Sequence, residues 1–269
     1  MERCDNGGGR KSSSPQGIIT VVGTGPGAVD HITPAVMACI AAADVVIGYS
    51  TYLDLLADQL AGKRIISSAM MQEVARCNSA FDLAEAGNRV VMVSGGDPGI
   101  YAMAGLLFEI AAERNSSIAI EVLPGIAAIN SCAARLGAPL MHDFAAVSLS
   151  DLLTPWETIE RRLHAAASAD FVIALYNPKS KKRTEQITRA RDIILQYRLA
   201  STPVGIVRGA TRADEHILVT DLENMLAAEI TMQTTIIIGN SCTYSWRGKM
   251  VTPRGYSDKY ALQKACDEG

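Results

Sequence analysis

The fold is decided by residues 18–27, which read IITVVGTGPG. The first five of them are apolar or β-branched and predict a buried strand, and a Gly-x-Gly-x-Gly turn follows directly at 23–27. Thr33 then stands before Pro34, a pair that is typical of the N-cap and the first residue of a helix. A glycine turn between a strand and a helix lets the backbone approach a ligand closely. This order predicts the first strand, loop and helix of an α/β sheet.

Short β-branched runs alternate with helical patterns along the rest of the chain. Further strands are predicted at 45–47, 64–66, 90–93, 118–123, 146–149, 171–176, 204–207, 216–220 and 235–238. Helices are predicted between most of them, for example at 34–43, 101–114, 158–167 and 184–198. Ten strands are many for one doubly wound sheet in 269 residues. The fold class is therefore predicted to be α/β, with two α/β domains and a ligand cleft between them.

The same pattern predicts the bounds of the domains. We expect an N-terminal α/β domain at 17–124 and a C-terminal one at 125–257, preceded by a disordered leader at 1–16 and followed by a tail at 258–269. The leader holds no apolar segment of the kind found in secretion signals, so a cytoplasmic protein is expected. The apolar runs are far shorter than the roughly 20 residues needed to cross a bilayer, and no membrane partner is expected.

Charge and composition exclude several classes of function. The formal net charge is −3, with 25 basic and 28 acidic residues, so the protein has no global field for holding nucleic acid, and none is expected as a partner. Any anionic ligand must then meet a local basic patch. The six cysteines include no Cys-x-x-Cys pair and the four histidines show no ligand spacing, which argues against disulfides and against a metal site.

Two further glycine loops follow predicted strands. Residues 94–101 read SGGDPGIY, and residues 123–128 read LPGIAA. Both loops place small residues at the carboxyl edge of a sheet, where open α/β sheets bind ligands. Asp97 fits either a ligand contact or an N-cap for the following helix, and both readings stay open. Because three glycine loops occur at three strand ends, a ligand site explains them better than three unrelated tight turns.

A dinucleotide site is the first alternative for the loop at 23–27, and the sequence argues against it. The glycine spacing differs from the dinucleotide fingerprint, and Pro26 lacks a backbone N–H that a pyrophosphate would use. The next strand is followed by Gly48 and Tyr49, where that fingerprint has an acidic residue for the ribose. Nicotinamide and flavin cofactors are therefore not expected.

The three glycine loops, together with the segments at 32–34 and 43–46, occur in the order seen in the tetrapyrrole methylases. The chain resembles that family over about residues 17–256. Members of the family transfer a methyl group from S-adenosylmethionine, and they have two α/β domains with the cofactor in the cleft. The resemblance implies S-adenosylmethionine as cofactor, S-adenosylhomocysteine as its product, a tetrapyrrole substrate and a homodimer. Three stretches are similar to the branch of the family that methylates precorrin-3B at carbon 17 and contracts the ring in cobalamin biosynthesis: 48–52, 141–151 and 175–183.

The resemblance places the family's cofactor contacts mostly on backbone atoms, for which small residues are suited. These contacts fall on Pro26, Gly95, Gly96, Asp97, Ile100, Ala127, Ala128, Asn177 and Gly209. The related uroporphyrinogen methylases have an acid after the second strand and an arginine after the Gly-Asp-Pro turn, where this chain has Tyr49 and Met103. Ala127 stands where a threonine is common. These differences favour another tetrapyrrole as substrate.

A basic loop follows the strand predicted at 171–176. Residues 177–183 read NPKSKKR and stand before a predicted helix, so four cations meet a helix N-terminus. A solvated basic turn and a local anion site are both open on this pattern alone. The resemblance implies a corrin precursor with many acetate and propionate groups, for which a cationic wall is suited. Substrate contacts are therefore expected from Lys179, Lys181, Lys182, Arg183 and Arg208, with Arg212 as a further candidate.

Ring contraction in the family adds a proton-handling step, because a hydroxyl at the extruded bridge carbon loses its proton as the skeleton migrates. The candidates for acid, base or hydrogen-bond partner are Tyr49, His142, Asp143, Ser148 and Asp151, and a structural role stays open for each. Other functions that stay open are methylation at another tetrapyrrole carbon and binding of a nucleotide or tetrapyrrole without catalysis. Ribosomal RNA methylation and diphthine synthesis use the same fold. The sequence leaves open whether the substrate contains cobalt.

Overall fold

The computed structural model describes residues 17–69 and 71–260. The predicted leader at 1–16 and most of the predicted tail, 261–269, lie outside the described residues. The chain divides into two compact units between Ile126 and Ala127, and each unit carries its own five-stranded sheet. The predicted boundary after residue 124 falls close to this division. The predicted α/β class is confirmed.

The first unit contains a five-stranded parallel sheet. Its strands are β1 (Ile18–Gly23), β2 (Val45–Tyr49), β3 (Arg64–Ser68), β4 (Arg89–Ser94) and β5 (Ala119–Leu123). They stand side by side in the order β3-β2-β4-β1-β5. The helices are α1 (Pro34–Ala42), α2 (Ser50–Asp54), α3 (Glu73–Glu85) and α4 (Met103–Arg114), with a 3-10 turn at Val29–His31. Because all five strands are parallel, their carboxyl ends lie at one edge of the sheet.

Both faces of this sheet are covered by helices, which is why its inner strands β1, β2 and β4 read as continuous apolar runs. Ile47 packs in a cluster with Phe81 of α3 and Leu107 of α4, and its neighbour Val46 packs in a second cluster with Val36 of α1. All five side chains are fully buried. Burial of a side chain of this kind contributes about 1.5–3 kcal/mol. The helices on the two faces therefore hold the sheet, and with it the loops at its carboxyl edge, in place.

The second unit contains a mixed five-stranded sheet and a small three-stranded one. The strands are β6 (Gly137–Ala138), β7 (Phe144–Ser148), β8 (Val172–Tyr176), β9 (Pro203–Arg208), β10 (His216–Asp221), β11 (Thr234–Ile238), β12 (Tyr244–Trp246) and β13 (Lys249–Val251). The helices are α5 (Ala128–Leu136), α6 (Trp156–Ser168), α7 (Gln186–Ile194) and α8 (Tyr256–Lys259), with a 3-10 turn at Met225–Ala227. The strand orders are β10-β9-β11-β8-β7 and β12-β13-β6.

Strand directions bring three carboxyl ends of the larger sheet together. β7 and β8 are parallel, and β11 is antiparallel to both β8 and β9, so β7, β8 and β9 run in the same direction. Leu163 of α6 and Leu175 of β8 pack in the cluster on one face. Leu136 of α5 packs on the other face with Ala174 and with Met250 of β13. Both faces of this sheet are therefore covered as well.

The predicted N-cap of α1 is confirmed. Thr33 Oγ1 accepts a hydrogen bond from Val36 N at 3.3 Å, and Pro34 is the first helical residue. The helix predicted at 184–198 is shorter, since α7 spans Gln186–Ile194. The longest helices, α3 and α6, have 13 residues each. Among the helices of residues 17–69 and 71–260, none is long and apolar enough to cross a membrane.

The predicted start of α4 at Tyr101 is wrong. Tyr101 has a φ of 51°, in the left-handed region, which a helical residue does not adopt. The helix begins at Met103 and has Ala102, with an extended backbone, as its N-cap. Asp97 is therefore not the N-cap of this helix, and its carboxylate has other partners.

Candidate active site

The three glycine loops meet at the carboxyl edge of the first sheet. They follow β1, β4 and β5, which are neighbours in the sheet. Gly25 N donates to Gly96 O at 3.1 Å, and Gly96 N donates to Gly25 O at 2.7 Å. Both glycines have a positive φ, 72° for Gly25 and 67° for Gly96, which side chains rarely tolerate. The first two loops are thus joined backbone to backbone.

The third loop is packed just as closely. A Cβ atom added to Gly23 would lie 2.5 Å from Gly125 N and 2.6 Å from Gly96 O. One added to Gly125 would lie 2.5 Å from Gly23 O. No real Cβ approaches backbone atoms this closely, so only glycine fits at Gly23 and Gly125. We call Gly23, Gly96 and Gly125 the glycine cluster.

Asp97 links the second loop to the third. Its Oδ1 accepts from Gly99 N at 2.8 Å, and its Oδ2 accepts from Gly125 N at 3.2 Å. The carboxylate therefore fixes the turn of its own loop and holds the neighbouring one. This contact needs a residue 28 positions away along the chain, so no local sequence pattern could have predicted it. Of the predicted cofactor contacts beside Asp97, Pro26 is buried, Gly95 is half-buried and Ile100 is exposed.

Tyr49 stands at the end of β2, at the same edge. Its ring meets the ring of Tyr52 edge to face, with the two centroids 5.6 Å apart. Gly95 packs closely against the ring of Tyr52, because a Cβ at Gly95 would be 2.6 Å from Cζ of that ring. An aromatic wall and the glycine loops thus share the edge of the first sheet.

In the second unit, predicted site residues gather at the carboxyl ends of β7, β8 and β9. Ser148 ends β7, and Asn177 follows β8 with a φ of 50°. Asn177 Nδ2 donates to Ser148 Oγ at 3.0 Å. Gly209 follows β9 with a φ of 57°, and its N donates to Gln233 O at 3.3 Å. The sequence predicted Ser148 as a catalytic candidate and Asn177 as a cofactor contact, and the structure makes them hydrogen-bonding neighbours.

The first turn of α5 lies beside the end of β8. Tyr176 OH accepts a hydrogen bond from Ile129 N at 2.9 Å. Ala127 is the N-cap of α5 and Ala128 is its first residue. The predicted cofactor contacts Ala127, Ala128 and Asn177 are thus tied to one strand end through Tyr176.

The basic loop has an exposed part and a buried part. Lys181 and Lys182 are exposed and Lys179 is half-buried, whereas Arg183 is only 9% exposed. Arg183 Nη2 donates to Asn177 O at 2.9 Å, and its Nη1 donates to Ser150 Oγ at 3.3 Å. The expectation that Arg183 faces a substrate does not fit this position, because its guanidinium lies inside the loop and already binds protein oxygens.

Arg208 and the loop after it are held by two glutamates that sequence reasoning missed. Arg208 Nη1 forms an ion pair with Glu229 Oε2 at 2.5 Å. Glu215 Oε2 accepts from Thr211 N at 2.5 Å and from Arg135 Nε of α5 at 2.8 Å. Burial alone would raise the pKa of Glu215, but these hydrogen bonds and the charge of Arg135 outweigh it and lower that pKa. Glu215 therefore ties the Gly209 loop to α5.

The predicted catalytic residues are not all brought together. His142 and Asp143 precede β7, at the end of the strand opposite to Ser148, roughly 15 Å away for a strand of this length. His142 Nδ1 accepts from Asp143 N at 2.8 Å. Asp151 does lie on the Ser148 side, where its Oδ2 accepts from Gln186 Nε2 of α7 at 2.7 Å. Nearness in sequence misled here, because a five-residue strand separates the two groups.

The described residues contain no group of three His, Cys, Asp or Glu side chains that could hold a metal ion. The site is instead built from backbone amides, small residues and a few polar side chains. This is an α/β protein whose sheet edges are lined by glycine loops in one unit and by a basic, hydroxyl-rich loop pair in the other.

Residues 19–226 match the family described as Tetrapyrrole (Corrin/Porphyrin) Methylases, and the chain belongs to that family. It is 49% identical to the cobalt-factor III methyltransferase of Priestia megaterium over 253 residues, 93% of this chain and 47% of that protein. It is 42% identical to the probable cobalt-factor III C(17)-methyltransferase of Salmonella typhimurium, over 89% of this chain and all of that one. The chain thus spans about half the length of the Priestia relative.

The crystal structure of the methyltransferase CobJ is similar to the structure of this chain. The TM-score is 0.83 at 38% sequence identity, and the match covers 88% of this chain and all of the other. The fold predicted from the sequence is therefore that of a solved methyltransferase.

Proposed function

We propose that this protein is an S-adenosylmethionine-dependent C-methyltransferase of cobalamin biosynthesis. Its reaction would methylate precorrin-3B, or the cobalt counterpart, at carbon 17 with ring contraction and yield precorrin-4 or its cobalt form. The glycine cluster carries this proposal, because three loops converge at one sheet edge where only glycine fits. The names of the Priestia and Salmonella relatives support the choice of tetrapyrrole.

The edge of the first sheet fits a cofactor that is bound mainly through backbone atoms. The glycine cluster is packed backbone against backbone, and Gly95 is packed against the ring of Tyr52. The groups at this edge are therefore mainly backbone atoms and an aromatic ring. Pro26, Gly95, Gly96, Asp97 and Ile100 would hold the cofactor here, and Ala127, Ala128, Asn177 and Gly209 are its proposed contacts in the second unit. When bound, S-adenosylmethionine supplies a methyl group on an already activated sulfonium. The chain's own task is then to align the attacking carbon and to exclude water.

The edge of the second sheet is suited to a polycarboxylate substrate. Lys181 and Lys182 are exposed on the basic loop, next to the network of Ser148 and Asn177. Ammonium groups bind carboxylates by charge-assisted hydrogen bonds, so these lysines would orient the acetate and propionate arms of a corrin precursor. Lys179 and Arg208 are further candidates, although Arg208 already pairs with Glu229.

Proton handling in the ring contraction would fall to residues at these two edges. Tyr49 stands at the first edge, and Ser148 and Asp151 stand at the second. His142 and Asp143 are weaker candidates because they precede β7 rather than follow it. A homodimer in the cytoplasm completes the proposal. Light scattering that detects only a species near 28.6 kDa would contradict the dimer.

The proposed function is tested by incubating the purified protein with methyl-labelled S-adenosylmethionine and either precorrin-3B or cobalt-factor III. We expect labelled product with at least one of them, a gain of one methyl group by mass, and the spectrum of a contracted ring. Label at another carbon would indicate a different tetrapyrrole methylase. Tetrapyrrole binding without transfer of label would indicate a carrier. The pair of substrates also decides whether cobalt must be present.

A further inference from the structure

The Ser148 hydroxyl accepts two hydrogen bonds from its own unit. Asn177 Nδ2 donates to Ser148 Oγ at 3.0 Å, and Ser150 N donates to it at 3.2 Å. A serine hydroxyl has two acceptor lone pairs and one O–H donor. Because both acceptor sites of Ser148 Oγ are occupied, the hydroxyl can form a further hydrogen bond only as a donor. Ser148 is half-buried at the carboxyl end of β7, so an incoming ligand can reach it.

One buried arginine fixes both donors. Arg183 Nη2 binds the carbonyl oxygen of Asn177, and Arg183 Nη1 binds Ser150 Oγ. The backbone of Arg183 is itself held in a closed turn, since Arg183 N donates to Ser180 Oγ at 3.0 Å and Ser180 N donates to Arg183 O at 2.8 Å. Arg183 is only 9% exposed as a residue and its guanidinium is bound on both Nη atoms, so this group has little freedom to move.

The hydrogen bond from Arg183 stabilises an unfavourable backbone conformation of Asn177. Its φ of 50° lies in the left-handed region, which asparagine adopts at a modest cost in free energy. The bond from Arg183 to the Asn177 carbonyl keeps the backbone in that conformation and so aims Nδ2 at Ser148. Arg183, Asn177, Ser150 and Ser148 therefore form one connected network, which we call the Ser148 network.

We propose that Ser148 is a hydrogen-bond donor to a side-chain carboxylate of the tetrapyrrole, and that Arg183 is a positioning residue that acts through Asn177 and Ser150. The inference rests on the proposed function and deepens it. Among the proton-handling roles proposed above, this inference limits Ser148 to hydrogen bonding, because a neutral hydroxyl is a weak base and its two acceptor sites are already filled. The exposed Lys181 and Lys182 on the adjoining loop supply the charge that draws a carboxylate to this hydroxyl.

The first test removes the donor. In Ser148→Ala, kcat/KM for the tetrapyrrole that the wild type accepts should fall about tenfold, the size of one lost hydrogen bond to a charged group. Ser148→Thr, which keeps the hydroxyl, should retain most of the activity. S-adenosylhomocysteine affinity by calorimetry should not change. The pH profile of kcat/KM should keep its shape in Ser148→Ala, whereas loss of a general base would remove one limb of the profile.

The second test is a double-mutant cycle between Ser148 and Arg183. Arg183→Gln should lower kcat/KM for the tetrapyrrole in the wild-type background and much less in the Ser148→Ala background, because it acts through that hydroxyl. If Arg183→Gln does not fold, Asn177→Asp replaces it, since the new carboxylate would accept a hydrogen bond from the Ser148 hydroxyl and compete with the substrate for it. Because Asn177 is also a proposed cofactor contact, S-adenosylhomocysteine affinity is measured in this variant as well. Equal effects in both backgrounds would overturn the positioning role. An active wild type with an unaffected Ser148→Ala overturns this inference alone, whereas a wild type that binds neither tetrapyrrole overturns the proposed function too.

Discussion

The backbone nitrogen of Ile129 donates to the phenol oxygen of Tyr176 at 2.9 Å. This bond joins the first turn of α5 to the last residue of β8, directly before Asn177. The free amides at a helix N-terminus need partners, and here a side chain from the sheet supplies one. This hydrogen bond therefore helps to fix the position of Ala127 and Ala128 relative to Asn177.

Tyr176→Phe should therefore loosen the start of α5. The Ile129 N–H would lose its acceptor, and we expect the free energy of unfolding to fall by about 1–2 kcal/mol, measured by urea denaturation. S-adenosylhomocysteine should bind more weakly by calorimetry. Tyr197→Phe is the matched control, because the Tyr197 hydroxyl pairs with His164 on an exposed surface. Equal stability of the two variants would contradict the role given to Tyr176.

Gly125→Ala should disrupt the glycine cluster. The new methyl group would meet backbone atoms of Gly23 and Gly96, which cannot move aside as a flexible side chain can. Overpacking of this kind costs about 1–3 kcal/mol, and cofactor binding should be lost with it. Gly105→Ala in α4 is the matched control, because a Cβ added there has no atom within 4 Å apart from its chain neighbours and the backbone of its own helix. It should raise the free energy of unfolding by about 0.5–1 kcal/mol and leave cofactor affinity unchanged.

Glu215→Gln should change how stability depends on pH. Hydrogen bonds hold the folded pKa of Glu215 below its ordinary value of 4.5. The carboxylate therefore stabilises the folded state above pH 4.5, and this contribution is lost as the pH falls through the folded pKa. Between neutral pH and about pH 3, wild type should lose more stability than Glu215→Gln. Glu223→Gln, at an exposed glutamate, should follow the wild type. Parallel curves for wild type and Glu215→Gln would refute the prediction.

The double variant Lys181→Ala, Lys182→Ala tests the exposed part of the basic loop. Loss of one charge-assisted contact should raise the dissociation constant of the tetrapyrrole about tenfold, with little effect on the cofactor. Added salt should weaken wild-type binding more than binding by the variant, since exposed charges are screened. Arg64→Ala, an exposed cation at the start of β3, should match the wild type in both measurements. Unchanged affinity and salt response would identify the loop as a solvated turn.

The parts of the fold that local sequence encodes could be predicted. The buried strands and the Thr33 cap are such parts, because apolar runs and capping residues act on their immediate neighbours. The small sheet of β6, β12 and β13 was missed. Its strands have two or three residues each, and β6 pairs Gly137 with Met250 across more than a hundred positions. Such a pairing leaves no periodicity to detect.

The candidate site was predictable in outline but not in the roles of its charges. Four cations in five positions look alike in a sequence, and only the Asn177 carbonyl and the Ser150 hydroxyl distinguish Arg183 from its lysine neighbours. Glu215 was missed because its partner Arg135 lies 80 positions away. Long-range partners of this kind decide which charge is buried and which is free to meet a ligand.

The pairing of β13 with β6 also bears on the order of folding. Met250 is fully buried in the cluster that holds α5, yet it is made more than a hundred residues after that helix. Contacts between distant parts of a chain form slowly, because closing a long loop costs entropy before the contact repays it. During synthesis, part of the apolar face of α5 therefore stays uncovered until the β12–β13 hairpin has been made and has paired with β6. We expect the start of the second unit to be the last part of it to become resistant to proteolysis.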